Sequence, residues 1–381
     1  MEFALNEMQQ MLQDTAGRLV RDRYDFEARK KIIASPEGYS PALWKEFADL
    51  GLLGVEIPED FGGSGGSFQD LAVVLEEFGR GLVVEPFLST VVLGAGVVSR
   101  AGNDAQKQEI LPRVAGGELK LALAYGEPDT RYDPALVATT AKADGDGYVL
   151  NGRKAVVIGA DSADTLIVSA RTAGQPGDRD GVSLFLVPKA SKGVDIRAYP
   201  NIDDRRAGEV TLDNVRVGKD ALLGAEGKAL PVLEEALDRG AAALCCEAIG
   251  AMAAVNTLTI EYLKTRQQFG RPIGKFQALQ HRMADMVIAE QQARSMGYLV
   301  TERIGADNPA DRAEAISVAK AQIGLSGQIV GRGTIQLHGG IGMTMEYVAS
   351  HYFRRLTAIE MMFGDNAYHL ARFAKASQAA A

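Results

Sequence analysis

Arg266-Gln-Gln-Phe-Gly-Arg-Pro-Ile-Gly-Lys-Phe-Gln-Ala-Leu-Gln-His281 is the stretch on which the fold turns. Pro272 has no backbone N–H and its ring clashes with the preceding helical turn, so a helix must break here. Arg266 and Phe269 then lie near one helix end, and Gln277 near the start of the next. A guanidinium, an aromatic face and a carboxamide converge at one helix junction. That set suits a diphosphate joined to a flat ring. An ordinary solvated turn is the competing reading.

Working outward, residues 232–381 contain only two prolines, Pro272 and Pro309, among long alanine-rich periodic segments. This predicts a helical bundle with two main breaks. Within it, Gln336-Leu-His-Gly-Gly-Ile-Gly342 places a carboxamide beside three glycines in a helix–helix connection. Backbone amides there can approach an anion, or the segment is simply a tight turn. Residues 121–226 differ. Short apolar runs (LALAY, VATTAKA, GYVLNG, TLIVSA, VSLFLVP, EVTLDNV) are separated by turn residues such as Asp144-Gly-Asp-Gly147, the pattern of an antiparallel sheet. Residues 1–120 again read as helical. Leu5, Met8, Leu12, Ala16, Leu19 and Val20 recur at helical spacing, and Asp70–Gly79 and Asp104–Val114 read as further helices. The expected domains are therefore 1–120 (helical), 121–226 (sheet) and 227–381 (helical bundle).

Composition removes several classes of function. At 381 residues and 46% hydrophobic, the chain has ample apolar material for a core, and disorder of its bulk is excluded. A net charge of −8 argues against nucleic acid as the partner. The longest uncharged run, Pro86–Ser99, is too short for a bilayer span, and MEFALNEMQQ does not read as a signal peptide. Cys245 and Cys246 are adjacent and cannot staple distant segments, so a reducing, cytoplasmic setting is expected. His281, His338, His351 and His369 form no close ligand pair, which disfavours a metal hydrolase. Gly62-Gly-Ser-Gly-Gly66 follows no clear strand and reads as a structural loop. Gly270-Arg-Pro-Ile-Gly-Lys275 has the wrong spacing for a P-loop.

The sequence resembles the acyl-CoA dehydrogenases over essentially its whole length. The resemblance rests on Gly51-Leu-Leu-Gly54 with Pro58-Glu59, Lys107-Gln108 with Leu111-Pro112, and Glu127-Pro128. It continues in Asn151-Gly152 with Lys154, the RQQFGRPIGKFQALQH segment, and QLHGGIG followed by Glu346. It implies an α+β fold: an N-terminal helical domain, a middle antiparallel β-barrel or sandwich domain, and a C-terminal four-helix bundle. It implies FAD as cofactor, an acyl-CoA thioester desaturated between its α and β carbons, and an electron-transfer flavoprotein as electron acceptor. Tetramers are the usual assembly. Arg266, Phe269, Gln277, Gln336, Gly339 and Gly340 match the family positions that hold the ADP half of FAD, largely toward a flavin seated in a neighbouring subunit.

Three departures from the family pattern stand out. The usual Thr-Glu-Pro-x-x-Gly-Ser-Asp is here Gly126-Glu-Pro-Asp-Thr-Arg-Tyr-Asp133, with side chains where backbone approaches the cofactor. The usual Lys-x-Trp-Ile-Thr-Asn-Gly is Lys154-Ala-Val-Val-Ile-Gly-Ala160. Val156 replaces the covering indole, and Ile158 donates no side-chain hydrogen bond. Ungapped counting puts Phe363-Gly364-Asp365 on the usual Glu-Gly-Thr, so phenylalanine occupies the common base position. The alternative base position falls near Gly240. Removing an α-proton needs a carboxylate. The nearby candidates are Asp365, Glu247 and Asp238, against bland readings as a helix cap, an arginine partner and a solvated helix residue. The features a subunit uses on its own flavin are changed, and those it offers a neighbour are kept. This fits the small subunit of a heteromeric (α2β2) acyl-CoA dehydrogenase. Asp22-Arg-Tyr-Asp-Phe-Glu27, Val84-Glu-Pro-Phe-Leu88 and Phe363-Gly-Asp365 resemble the pimeloyl-CoA dehydrogenase small-subunit type. The alternatives are a homotetramer with Asp365 or Glu247 as base, and a non-redox acyl-CoA-binding or scaffold subunit.

Overall fold

The computed structural model describes residues 4–380. Helices α1 (Glu7–Arg23), α2 (Phe26–Ile33), α3 (Pro41–Asp49), α4 (Phe68–Gly81), α5 (Gly96–Ala101) and α6 (Asp104–Ala115) come first. Strands β1 (Leu121–Ala124), β2 (Thr140–Asp144), β3 (Gly147–Ile158), β4 (Thr165–Arg171), β5 (Val182–Pro188), β6 (Val194–Pro200), β7 (Arg206–Gly218) and β8 (Leu222–Leu223) follow. Then come α7 (Leu230–Thr265), a short hairpin of β9 (Gln267–Gln268) and β10 (Arg271–Pro272), α8 (Gln277–Arg303), α9 (Pro309–His338), α10 (Val348–Met361) and α11 (Asn366–Ala380). The helix–sheet–helix order is the expected one. The chain divides into two compact units: Met1–Lys31 with Phe68–Val83 and Ala241–Ala381, and Ile32–Ser67 with Val84–Gly240.

In the first unit, Asn6 and Gln9 form a reciprocal capping box that starts α1. Only the later part of the expected apolar stripe is buried (Ala16, Leu19, Val20), while Leu5 and Met8 are exposed. Glycine lets α4 and α7 meet backbone to backbone. A Cβ at Gly79 would sit 2.0 Å from the Glu247 carbonyl oxygen, and one at Gly250 1.8 Å from that of Glu76. Helix α7 is long and apolar enough to span a bilayer, but most of its apolar window is buried inside the protein. It is a core helix, hidden from a search for uncharged runs because Glu247 interrupts it. Pro309 opens α9 at its first turn behind the Asn308 cap. The bundle breaks at two further places without proline, 339–347 and 362–365. There Gly339 and Phe363-Gly364 take positive φ.

In the second unit the strands order as β6-β7-β3-β2-β4-β5-β8, with β1 added beside β4. The sheet is not wholly antiparallel, because β1 runs parallel to β4. Its core packs Leu150, Val157, Leu166, Val168, Phe185 and Val210. Strand β6 was missed by the sequence patterns. It lies at the sheet edge, mostly exposed or half-buried, with Asp195 and Arg197 breaking its apolar signal. The Gly62–Gly66 loop uses its own amides internally: Ser64, Gly65 and Gly66 donate to the carbonyls of Gly54, Ile57 and Val55. It is a structural loop.

Candidate functional site

The break at Pro272 is a hairpin turn. Gln268 pairs with Arg271, and Phe269 (φ 53°) and Gly270 (φ 75°) form the two-residue turn between them. A left-handed phenylalanine is uncommon, and this one is 89% exposed, its ring edge-on to Phe276 with centroids 6.0 Å apart. Arg271 covers the Phe276 ring at 4.3 Å. Arg266, at the end of α7, and Gln277, at the start of α8, are both exposed. Among the described residues the side chains of Arg266, Gln277 and Gln336 have no hydrogen-bonding partner.

The structure brings the two sequence clusters together through residues that sequence reasoning passed over. Tyr262, one helical turn before Arg266, stacks on His338 (centroids 4.5 Å apart) and donates to its carbonyl oxygen at 3.3 Å. Tyr347 packs beside both, its ring centroid 5.2 Å from that of His338 and 6.5 Å from that of Tyr262. The Nδ1–H of His338 donates to the Thr334 carbonyl at 2.9 Å, which leaves Nε2 a bare acceptor, buried and without a partner among the described residues. Burial pushes the His338 pKa down, so the ring stays neutral. Gly339 (φ 62°) and Gly340 follow directly, and a Cβ at either would meet nothing within 4 Å. Exposed donors, an exposed aromatic and an open glycine cradle suit an ADP moiety approaching from outside. The signal was available in sequence: Tyr262 is four residues before Arg266, and His338 lies inside QLHGG.

The second unit holds the loops that would face a flavin ring. Their centre is a buried ion pair. Lys154, fully buried, donates to Glu127 at 2.7 Å and to Ser169 Oγ at 3.0 Å. Glu127 also accepts from the backbone amides of Ala138 and Thr139 at 2.9 and 3.0 Å. Burial raises the Glu127 pKa, but the Lys154 charge and these hydrogen bonds outweigh it and the net direction is down. Burial lowers that of Lys154 to about 8, opposed by Glu127. Around this pair lie the residues that depart from the family pattern. Arg131 takes a strained positive φ (48°) with its guanidinium 5.6 Å from the Tyr132 ring centroid. Gly126 accepts from the Ala155 amide, and a Cβ there would lie only 3.3 Å from the Ala155 oxygen. Val156 sits on a bulge at φ 53°, 58% exposed.

The candidate bases are all engaged structurally. Glu247 is buried in a two-pronged pair with Arg355, both contacts at 2.7 Å. Asp365 caps α11, accepting from the Tyr368 amide at 2.8 Å. Asp238 is 3% exposed, which corrects its reading as a solvated helix residue. The structure places Arg266, Phe269, Gln277, Gln336, Gly339 and Gly340 in one unit, linked through the Tyr262–His338 stack.

Family models match three stretches: acyl-CoA dehydrogenase N-terminal domain at 6–118, middle domain at 122–215 and C-terminal domain at 227–378. The probable acyl-CoA dehydrogenase YngJ of Bacillus subtilis is 31% identical over 96% of this chain and 97% of its own. Among solved structures, a variant of the Tcur3481-Tcur3483 steroid ACAD superposes with a TM-score of 0.88 at 33% identity, covering 98% of this chain and 99% of that one. The ChsE4-ChsE5 complex from Mycobacterium tuberculosis gives 0.89 at 25% identity over 99% of each chain.

Proposed function

We propose, from the premise that the chain belongs to the acyl-CoA dehydrogenase family, that it is the small subunit of a heteromeric enzyme. The family chemistry is oxidoreduction at a CH–CH bond of an acyl-CoA with FAD as cofactor. In this reading the chain offers Arg266, Phe269, Gln277, Gln336, Gly339 and Gly340 to the ADP half of a flavin whose ring lies in a homologous partner. The partner also supplies the base.

The observation that carries the reading is an asymmetry between two sets of side chains. Arg266, Gln277 and Gln336 have no hydrogen-bonding partner among the described residues, and Phe269 is held outward in a strained turn. The loops at 126–133 and 154–160 instead carry Arg131 and Tyr132 where the family has glycine and serine, and Ile158, which donates no side-chain hydrogen bond. A guanidinium on a diphosphate is a strong, charge-assisted contact. The chain's own residues would therefore orient the nucleotide end of the cofactor and contribute nothing to proton removal. That two-chain assemblies occur among its structural neighbours, as in the ChsE4-ChsE5 complex, supports the arrangement. Resemblance to the pimeloyl-CoA dehydrogenase small-subunit type suggests a dicarboxyl-, aromatic-ring-derived or steroid-side-chain thioester as substrate, and an electron-transfer flavoprotein as acceptor.

Expression alone and with a homologous subunit tests this. The expected result is a colourless chain alone and a flavin-bearing complex on co-expression. A yellow chain alone, with one flavin per chain reduced by an acyl-CoA, overturns the proposal and favours the homotetramer.

A further inference from the structure

Helices α1, α4, α7 and α8 of the first unit leave a half-open cleft of about 290 Å³ between them. Its floor is apolar. Ala72 and Val73 of α4 and Cys246 and Ile249 of α7 line it, and all four are buried. Gly297 lets α8 close on this floor, since a Cβ there would lie 2.5 Å from Ile249 Cδ1. Burial pushes the Cys246 thiol up, so it stays protonated and adds to the apolar surface. The rim is polar and unspent. The side chains of Gln13, on α1, and Gln69, on α4, have no hydrogen-bonding partner among the described residues.

One wall is charged but satisfied within the protein. Arg294 of α8 donates to both oxygens of Glu76, at 3.0 and 3.1 Å, and Arg80 donates to the same carboxylate at 2.7 Å. Glu77 stands 3.2 Å from Arg80 and Glu290 3.9 Å from Arg294. Two guanidinium groups thus face three carboxylates, and no positive charge is left over for an anion. A carboxylate or phosphate entering the cleft would lose its hydration without gaining a cation. A neutral molecule suffers no such loss. An apolar floor takes an apolar body, and glutamine amides, which both donate and accept, take an uncharged polar edge. The volume stands near the lower end for small-molecule pockets, about 300 Å³. Ile249 and Thr265 lie roughly 24 Å apart along α7, at about 1.5 Å per residue, so the cleft is not part of the hairpin corner that follows Thr265.

We propose that the α1–α4–α7–α8 cleft is a binding site for an uncharged aromatic or alicyclic molecule of bicyclic size that carries a carboxamide or hydroxyl edge. The ring system lies on Ala72, Val73 and Ile249, and the polar edge meets Gln13 and Gln69. A CoA ester, with its phosphates, is not such a ligand. Because the walls come from four helices, an occupant ties them together and stabilises their packing. The proposal is independent of the small-subunit reading.

The experiment uses the full-length chain, in its complex where one forms. The probes are 2-naphthamide, its anionic counterpart 2-naphthoate, and naphthalene. Ligand-observed saturation-transfer NMR gives the affinities, and a thermal melt reads stabilisation. 2-Naphthamide is expected to bind at least about tenfold more tightly than 2-naphthoate and to raise the melting midpoint. Ala72→Phe fills the floor and should weaken 2-naphthamide at least about tenfold. Gln69→Leu changes an exposed side chain, so it keeps the test open if Ala72→Phe does not fold. It should weaken 2-naphthamide about two- to tenfold and leave naphthalene unchanged. FAD retention by the complex should stay as in wild type in both variants. Equal affinity for 2-naphthamide and 2-naphthoate overturns the proposal, as does no binding of 2-naphthamide up to its solubility limit. Binding that neither variant weakens overturns it by placing the probe elsewhere. Loss of FAD retention in Gln69→Leu overturns it by making the cleft part of the cofactor site.

Discussion

The corner at 266–277 and 336–340 leaves Arg266, Phe269, Gln277 and Gln336 exposed, whereas the loops at 126–133 and 154–160 centre on the buried Glu127–Lys154 pair, with Arg131 and Val156 exposed beside it. Both regions carry family motifs, and both contain left-handed non-glycine residues: Phe269 in one, Arg131 and Val156 in the other. Strain of that kind persists only where the surrounding structure enforces it. At Phe269 it holds an aromatic in solvent, an arrangement with little value to an isolated chain. At Val156 it lies on a backbone bulge of β3. Both regions thus hold left-handed backbone, while on the proposed reading only the first keeps side chains suited to the cofactor.

The sharpest way to break this comparison is at Glu247. If Glu247 is structural, Glu247→Ala leaves Arg355 buried without its partner and lowers stability by about 3–5 kcal/mol. Glu247→Met with Arg355→Met should recover most of that loss, because a well-packed apolar pair replaces a buried ionic one at little cost. The midpoint of urea unfolding measures both. A base at Glu247 would give the opposite pattern: stability intact, turnover abolished by either change, and no rescue in the double variant.

Arg266→Ala is the next largest. Loss of a charge-assisted contact should weaken FAD retention by the complex by about 1.5–3 kcal/mol, roughly ten- to 150-fold. The stability of the chain alone should change by no more than about 0.5 kcal/mol, because Arg266 is exposed. Equilibrium dialysis of FAD and a thermal melt separate the two. Lys154→Met should reverse the pattern, destabilising the chain by leaving Glu127 buried without its cation. If Arg266→Ala leaves FAD retention unchanged, the ADP half-site assignment fails.

Much of this was legible in the sequence because it rests on local chemistry. Pro272 and Pro309 marked two helix breaks through a missing N–H, and Gly126, Arg131, Tyr132 and Ile158 were recognisable against a short motif. What was not legible depends on tertiary encounter. Glu127 and Lys154 were each visible, but nothing in their 27-residue separation says that the loop after β1 meets β3 and buries them against one another. Glu247 and Arg355 lie 108 residues apart, and only packing of α7 against α10 turns a candidate base into half of an ion pair. The edge strand β6 failed for a different reason: its charged residues reflect solvent on an exposed edge and mask its strand character.

The Phe363 corner adds a pH-dependent test of which side of the comparison it belongs to. Burial, with Lys320 and Arg372 adding repulsion, lowers the His369 pKa to about 3, while the Phe363 carbonyl and Asp365 oppose the shift. The native ring is therefore neutral where the unfolded ring takes a proton. The contribution is complete above pH 6.5 and is lost as pH falls from 6.5 toward 3. One unit below the unfolded value, near pH 5.5, the loss is about 1.4 kcal/mol. His369→Gln keeps a donor for the Phe363 carbonyl and should flatten the stability profile between about pH 6.5 and 5. An unchanged profile would mean that His369 is not held neutral in the native corner.

The smallest expected effect bears most directly on the changed region. A β-branched residue in the left-handed region costs about 1–2 kcal/mol, and asparagine tolerates it. Val156 is exposed, so replacing it removes little burial. The bulge itself lies at the β3–β7 register shift between Lys154 and Val157, which does not need the valine side chain. Val156→Asn should therefore raise stability by about 0.5–1 kcal/mol, seen as a higher thermal midpoint, and leave the flavin content of the complex unchanged. If flavin content falls instead, the Val156 side chain covers a ring in its own chain. The contrast between the outward-facing corner and the changed loops would then be wrong at Val156.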